Sequence, residues 1–281
     1  MTAKPLVSVL MTSYNRERYI GQAMESVLAS TYEHFELLIV DDRSKDGTVA
    51  IAQKYAASDP RVKVFINEVN QGDYPNRNMA ASHATGKYLK YVDADDYIYP
   101  RGLETLVEMM EKFPDAGFGL CSLPQDVARP FPFQLDPRSA YQYHYQGPGL
   151  FHKAPLSAII KKTAFDAVGG FAKIRMAGDF EMWHRLGQRF PVVLMPEGVV
   201  WYREHGEQEM NHYGGFFATY IETTLRYLKD EKCPLDKSQT EQILKTEKDR
   251  LKKEMMKGAA TLNFGRLKEN FRKLQTYRHA G

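Results

Sequence analysis

The chain has 281 residues, 43% of them hydrophobic and 26% charged, which is enough to bury one large core or a core with a smaller lobe. The formal net charge of +3, from 38 basic and 35 acidic side chains, is evidence against a protein that neutralises many nucleic-acid phosphates. The two cysteines, Cys121 and Cys233, lie far apart and lack CxxC spacing. The sequence therefore indicates neither a disulfide framework nor a zinc knuckle, and it fits a reducing cytosol.

Strand and helix patterns alternate along the first third of the sequence. The apolar run at residues 5–11 is too short for a signal peptide or a membrane span and is typical of a buried strand. Strands are predicted at residues 7–11, 35–40, 62–66 and 88–92, and helices at 19–29, 48–57 and 76–84. Ser44 or Asp46 is the expected N-cap of the second helix. This alternation predicts an α/β fold with a parallel sheet and crossover helices.

The pattern changes after a helix predicted at residues 103–113. Residues 124–155 are rich in proline and aromatic side chains, and because proline lacks a backbone donor we expect a long loop here, over the functional site. A strand at 158–161, a short helix at 163–168 and a helix at 179–189 are predicted next. The tail after Gly215 is helical in composition and basic, with Lys245, Lys248, Arg250, Lys252, Lys253, Lys257, Arg266, Lys268, Arg272 and Lys273.

Carboxylates follow two of the predicted strands directly. Asp41 and Asp42 end the second strand, and Asp93, Asp95 and Asp96 follow the fourth. The carboxyl ends of parallel strands form the edge where open α/β sheets bind ligands. Such an acidic cluster is costly without a nearby cation, and its oxygen donors suit Mg²⁺ or Mn²⁺. Taken alone, the D-x-D pattern favours a solvated acidic turn that caps the next helix over a metal site.

Five segments together resemble the inverting family 2 glycosyltransferases. They are residues 7–16, 38–48, 76–88, 169–171 and 178–186, and they occur in the expected order within residues 6–205. The resemblance implies a GT-A fold, a Rossmann-like, mostly parallel sheet flanked by helices, with a C-terminal helical extension. It places the catalytic domain at residues 1–214, with a nucleotide-binding half at about 1–122 and an acceptor half at about 123–214, and the extension at 215–281.

The same resemblance implies a role for individual side chains. It implies Asp179 as the catalytic base, Asp95, Asp96 and His205 as ligands of Mn²⁺ or Mg²⁺, and Thr12, Tyr14, Asp42, Arg77, Asp93 and Arg203 as nucleotide-sugar-binding residues. Asp42 is expected to accept a hydrogen bond from the imide N–H of uracil. Gly178 departs from the family pattern, which has glutamate before the base, so Glu181 competes with Asp179 for that role.

The resemblance implies transfer of a sugar from a UDP-sugar or related donor to a saccharide or lipid-linked saccharide, in the synthesis of cell-envelope polysaccharide or glycoconjugate. A cytoplasmic protein is expected, and the basic tail is compatible with peripheral contact at the inner membrane face or with homo-oligomerisation. The alternatives are a non-catalytic sugar-nucleotide-binding protein and a nucleotidyltransferase. The second is disfavoured because residues 12–16, after the first strand, contain no glycine.

Overall fold

The computed structural model describes residues 4–206 and 217–260. The strands are β1 (Val7–Ser13), β2 (Phe35–Asp41), β3 (Val62–Ile66), β4 (Tyr88–Tyr91), β5 (Tyr97–Ile98), β6 (Phe118–Leu123), β7 (Phe133–Leu135), β8 (Ala158–Lys161), β9 (Val192–Pro196) and β10 (Val200–Trp201). The helices are α1 (Ile20–Leu28), α2 (Thr48–Ser58), α3 (Asp73–Ser82), α4 (Gly102–Glu111), α5 (Pro137–Gln146), α6 (Lys162–Val168), α7 (Gly178–Arg189), α8 (Phe217–Lys229) and α9 (Lys237–Ala260). The α/β class predicted from the sequence is confirmed.

Eight strands form one mixed, mostly parallel sheet in the order β3-β2-β1-β4-β8-β6-β9-β7. Strands β1 to β4 pair in parallel, β8 is antiparallel to both β4 and β6, and β9 pairs in parallel with β6. All seven residues of β1 and β2 pair in register, and β2 is buried along its whole length. Such continuous apolar strands are typical of a sheet that helices cover on both faces.

The chain reverses its direction of travel across the sheet between β1 and β4. From β1 it moves outward through β2 to β3, and it then returns to β4 on the other side of β1. The carboxyl ends of β1 and β4 therefore border the crevice in which open α/β sheets bind ligands. The segment at residues 93–96, here called the acidic loop, lies between β4 and β5. Strand β5 pairs with β10 in antiparallel orientation, which brings residues beyond Trp201 to the same edge.

One apolar core stabilises this arrangement. Most of the residues packed in it come from the sheet and from helices α1 and α4, and Met11, Ile20, Leu37, Leu106 and Ile159 are all fully buried. On α1 the buried residues recur at three- and four-residue spacing, which is the pattern that turns one helical stripe toward a sheet. The core therefore determines where β1, β2 and β4 end and, with them, where the polar loops begin.

The expectation of a long loop at residues 124–155 is wrong. Strand β7 pairs with β9 at the edge of the sheet, and helix α5 follows it. Proline does not prevent this helix, because Pro137 is its first residue and the first turn of a helix needs no backbone donor. Proline-rich composition therefore does not exclude short regular elements between the prolines.

The described chain divides into two compact units. The first comprises residues 4–137 and 152–205, and the second comprises 138–151, 206 and 217–260. The predicted boundary at residue 214 lies outside the described residues, as do Arg266, Lys268, Arg272 and Lys273 of the basic tail. Helices α8 and α9 agree with the helical tail predicted from composition. Among the described helices, none has the length and apolar character that a membrane crossing requires.

Candidate active site

The carboxylate of Asp42 closes the turn that leads into α3. It is 3% exposed, and its Oδ1 accepts hydrogen bonds from Asn67 Nδ2 and Gln71 N, both at 2.8 Å. Its Oδ2 accepts a third from Gly72 N, also at 2.8 Å. A carboxylate offers about four acceptor positions, so Asp42 keeps one on Oδ2 for a ligand donor. The predicted contact with a base is compatible with this geometry, and it stays a prediction.

The neighbouring Asp41 has a structural role. Its side chain accepts hydrogen bonds from the Ser13 hydroxyl at 2.8 Å and from the backbone N–H and hydroxyl of Ser44. These bonds tie the ends of β1 and β2 together. Thr12 is partly buried near the end of β1, whereas Tyr14, just past the strand, is 42% exposed. Both therefore lie at the carboxyl edge, as the sequence predicts.

Arg77 of α3 is bound between two carboxylates. Its Nη1 and Nη2 donate to the two oxygens of Asp93 at 2.6 and 3.0 Å, and its Nε donates to Asp73 at 2.8 Å. The Arg77 side chain is 8% exposed, and although burial lowers its pKa, the charges of Asp73 and Asp93 hold that pKa well above the ordinary value. This bidentate geometry orients Asp93 and keeps a positive charge beside the acidic loop.

Asp95 carries the second charged cluster. Its Oδ2 lies 2.9 Å from Arg16 Nε and 3.0 Å from His205 Nε2, and the Asp95 side chain is 13% exposed. The ring of His205 stacks on Tyr19 with centroids 4.7 Å apart, which fixes the imidazole beside the carboxylate. Two of the three residues expected to bind a metal therefore meet at one oxygen atom.

Asp96 lies deeper and contacts the backbone. It is 1% exposed, and its Oδ1 accepts a hydrogen bond from Arg203 N at 3.0 Å. Burial, followed by the charge of Asp93, raises the pKa of Asp96 to about 8. The Arg203 side chain donates to the Asp95 carbonyl at 2.7 Å and to Gln22 at 2.9 Å. Arg203 thus fastens the segment that carries His205 to the acidic loop.

The donor atoms of the acidic loop are of the kind that a hard divalent cation prefers. Across residues 4–206 and 217–260, no three Asp, Glu, His or Cys side chains form a preassembled ligand group. Asp95 and His205 nevertheless offer one oxygen and one nitrogen donor at the same point, 3.0 Å apart. Mg²⁺ and Mn²⁺ often take one or two protein ligands and complete the shell with phosphate oxygens and water. The geometry favours Asp95 and His205 over Asp96 as ligands.

Asp179 lies in the first turn of α7 and faces α3. Its Oδ1 accepts hydrogen bonds from Tyr74 Oη at 3.1 Å and from Phe180 N at 2.7 Å. Burial raises the pKa of Asp179 to about 6, although these bonds and the nearby Arg77 charge oppose the shift. At pH 7 the group is mostly ionised, and it holds a proton more readily than an ordinary aspartate does. These are the properties of a general base.

The competing carboxylate, Glu181, is occupied by a structural ion pair. It is 2% exposed, and its two oxygens accept from Arg185 Nε at 2.8 and 3.0 Å. Arg185 also donates to the Gly170 carbonyl at 2.7 Å and to the Val168 carbonyl. Glu181 therefore links α7, through Arg185, to the turn after α6.

Three residues of the site were missed by sequence reasoning. Arg16 binds Asp95, Tyr19 stacks on His205, and Tyr74 binds Asp179. Tyr74 had no usable signal, because it precedes the helix predicted at residues 76–84 and shares a helix face with Arg77 only in the observed α3. Arg16 and Tyr19 had none, since their partners are distant in sequence and polar residues after β1 are ordinary in a loop.

Comparison with known proteins identifies the family. The family model described as glycosyl transferase family 2 matches residues 8–169. Two similar relatives are the putative glycosyltransferase EpsE of Bacillus subtilis, 42% identical over 40% of this chain and 41% of its own, and the Escherichia coli UDP-Glc:alpha-D-GlcNAc-diphosphoundecaprenol beta-1,3-glucosyltransferase WfgD, 39% identical over 38% and 42%. The chain thus aligns with less than half of the length of these relatives.

Solved structures agree on the fold. Staphylococcus aureus TarS 1-349 in complex with UDP-GlcNAc superposes with a TM-score of 0.72 at 19% identity, covering 98% of this chain and 81% of that one. The mannosyltransferase PcManGT of Pyrobaculum calidifontis, in complex with GDP-Man and Mn²⁺, superposes with a TM-score of 0.63 at 19% identity, covering 99% and 74%. The fold is therefore the GT-A fold, and this chain belongs to glycosyl transferase family 2.

Proposed function

We propose that this protein is an inverting, cation-dependent glycosyltransferase that moves a sugar from a UDP-sugar to an acceptor hydroxyl. One observation carries the proposal. Helix α3 places Arg77 on Asp93 of the acidic loop and, three residues earlier, Tyr74 on Asp179 of α7. A single rigid helix therefore links the carboxylates expected on the diphosphate side to the carboxylate expected on the acceptor side.

The reaction would need one base and one displacement. Asp179 takes the proton of the acceptor hydroxyl while that oxygen attacks the anomeric carbon. The bond from the anomeric carbon to the diphosphate oxygen breaks on the opposite face, and the electron pair leaves with UDP. Attack and departure on opposite faces invert the anomeric centre without a covalent sugar intermediate. The pKa of Asp179, raised to about 6, leaves it ionised at pH 7 and able to hold the proton.

Asp95 and His205 would hold the divalent cation. When bound, such a cation neutralises charge that develops on the departing diphosphate. Arg16, 2.9 Å from the same Asp95 oxygen, is placed to compensate that carboxylate and to approach a phosphate. Arg77 keeps Asp93 in a fixed orientation beside them. The relative PcManGT, in complex with GDP-Man and Mn²⁺, supports the cation without identifying it in this protein.

UDP is the favoured donor nucleotide. The remaining acceptor position on Asp42 Oδ2 suits the imide N–H of uracil, a donor that cytosine lacks there. Two relatives support it, since TarS is in complex with UDP-GlcNAc and WfgD is named for UDP-Glc. The relative in complex with GDP-Man is the reason to include guanine nucleotides in any test.

The acceptor is proposed to be a saccharide, free or lipid-linked, in cell-envelope polysaccharide synthesis. WfgD is named for a diphosphoundecaprenol-linked acceptor, and the Bacillus subtilis relative TuaG, 42% identical over 42% of this chain and 48% of its own, for teichuronic acid biosynthesis. Exposed lysines on α9, including Lys245, Lys252 and Lys253, would suit peripheral contact with an anionic membrane.

A donor panel tests the proposal. Purified protein is incubated with UDP-, GDP- and other nucleotide sugars, with Mn²⁺ or with chelator, and release of the nucleoside diphosphate is measured, with water as acceptor until the natural acceptor is known. We expect release from a UDP-sugar with Mn²⁺, and its loss in Asp179→Asn. The matched control is Asp166→Asn, which alters an exposed pair with Lys162 on α6.

Two results would favour the alternatives. Tight binding of a UDP-sugar with no release of UDP, even with saccharide acceptors, would indicate a non-catalytic binding protein. Release of pyrophosphate from a nucleoside triphosphate and a sugar phosphate would indicate a nucleotidyltransferase. In the second case the nucleophile attacks phosphorus, and Asp179→Asn should have little effect.

A further inference from the structure

The start of α7 is shaped around a tyrosine of α3. Gly178 is the first residue of α7, and a Cβ added there would lie 2.7 Å from two ring carbons of Tyr74. Real Cβ atoms essentially never approach other atoms so closely, so any larger residue at 178 would displace the ring. Glutamate, which the family pattern has at this position, is incompatible with Tyr74 where it stands.

Tyr74 is held firmly in that place. It is 7% exposed, and its ring packs against Phe171 with centroids 5.4 Å apart. Its Oη donates to Asp179 Oδ1 at 3.1 Å. Burial, with the charges of Asp179 and Asp73, raises the pKa of Tyr74 far above its ordinary value, so the phenol keeps its proton and acts only as a donor toward the carboxylate.

We propose that Tyr74 is a positioning residue for the base, fixing the Asp179 carboxylate toward the acceptor, and that Gly178 serves to admit its ring. This inference rests on the proposed function, in which Asp179 takes the acceptor proton. Tyr74 is three residues before Arg77 on the same helix, so one element orients the base and the donor-side Asp93 together. The rate of sugar transfer would fall steeply if the Asp179 carboxylate were misplaced, because it must lie within hydrogen-bond distance of the acceptor hydroxyl to take its proton.

Burial and three groups besides Tyr74 determine the charge of Asp179. The Phe180 backbone N–H and the Arg77 guanidinium favour the ionised form, whereas burial and the Asp73 carboxylate disfavour it. Tyr74→Phe removes only the phenolic hydroxyl and keeps the ring over Gly178. The ionised carboxylate loses one donor, so the pKa of Asp179 should rise above its present value by about one pH unit, within the range reported for hydrogen bonds to charged groups.

The first test is the pH profile of turnover. In Tyr74→Phe we expect the acidic limb of kcat to move upward by about one pH unit, kcat at pH 7 to fall by about tenfold or more, and the Kd of UDP with Mn²⁺ to stay the same. Tyr55→Phe is the matched control, since Tyr55 Oη donates to Glu25 at 2.7 Å between α1 and α2. An unmoved limb, with or without a uniform fall in kcat, would overturn the proposal.

The second test needs no activity. The free energy of unfolding is measured from pH 4.5 to 8 for wild type, Tyr74→Phe, Asp179→Asn and the double variant. We expect Tyr74→Phe to lower the free energy of unfolding more at pH 8 than at pH 4.5. The difference should equal the free energy that corresponds to the pKa shift of Asp179, and it should vanish in the Asp179→Asn background. A pH-independent effect in both backgrounds would refute the contact. Normal turnover in Asp179→Asn would instead refute the proposed function and leave this second result intact.

Discussion

Asp95 and His205 lie 110 positions apart in the chain, and yet Asp95 Oδ2 and His205 Nε2 are 3.0 Å from each other. The approach depends on the pairing of β5 with β10, which sets Trp201 opposite Tyr97 and so brings the segment after β10 back to the acidic loop. Arg203 secures this return through the Asp95 carbonyl and the Asp96 side chain. Two strands of only two residues each thus bring together the carboxylate and the imidazole that we propose as cation ligands.

Removing either donor should abolish the dependence of nucleotide binding on a cation. In Asp95→Asn or His205→Ala we expect the affinity for UDP in Mn²⁺ to fall by about tenfold or more, ~1.4 kcal/mol, toward the value in chelator. Titration calorimetry with Mn²⁺ and with chelator measures this. Asp166→Asn, far along the chain on α6, should keep the full difference. Equal affinity of the wild type in both conditions would contradict the cation site.

Breaking the Arg77 cluster should lower stability. Arg77→Gln leaves Asp93 and Asp73 without their shared partner, and loss of one member of a buried pair typically costs about 3–5 kcal/mol. Because Asp73 is 39% exposed, we expect about 3 kcal/mol in urea unfolding. Lys162→Gln, which breaks an exposed pair on α6, should cost less than about 1 kcal/mol. Equal losses in the two variants would show that the cluster is not structurally important.

Replacing Asp179 should stabilise the protein above pH 6. Folding raises the pKa of Asp179 from 3.8 to about 6. As the pH rises from 3.8 to 6, the unfolded chain therefore loses this proton while the folded protein still holds it, and the free energy of unfolding decreases. Asp179→Asn removes that penalty, and at pH 8 we expect a gain of about 1–3 kcal/mol that disappears below pH 4. Chemical unfolding at both pH values measures it. A gain that is the same at pH 4 and pH 8 would exclude ionisation as the cause.

Activity and stability should separate between the two carboxylates of α7. Asp179→Asn is expected to reduce sugar transfer by about a hundredfold or more while UDP binding is retained. Glu181→Gln is expected to lower stability through the loss of its pair with Arg185, with near-normal turnover per folded molecule. Turnover is therefore corrected for the folded fraction from circular dichroism. The opposite pattern would identify Glu181 as the base.

The basic helix α9 should bind anionic lipid in a salt-dependent way. We expect association with phosphatidylglycerol vesicles in low salt, reduced steeply by 0.5 M NaCl and by the triple variant Lys245→Glu, Lys252→Glu and Lys253→Glu. Vesicle sedimentation measures it, and UDP binding by the triple variant is the control for folding. Neutral phosphatidylcholine vesicles should not bind. Absence of binding at low salt would leave α9 as a structural or oligomerisation element.

Short-range patterns were sufficient to predict strands β1 to β4. Residues 62–66 were predicted exactly as β3 is observed, and the ends of β1, β2 and β4 were placed within two residues. This worked because buried parallel strands are continuous apolar runs that end where polar loops begin. The same rule placed Asp42 and Asp93 at one edge of the sheet. The acidic loop was therefore recognisable before any contact was known.

Only the tertiary structure decided which side chains meet within that edge. Arg16 reaches Asp95 and Tyr74 reaches Asp179 because sheet order and helix packing bring distant loops together. Such contacts depend on the register of whole elements, whereas local propensity reports on only a few neighbouring residues. Glycine at position 178 looked like a loss of the family pattern. In the folded chain, the absence of a side chain at Gly178 leaves the room that the ring of Tyr74 occupies.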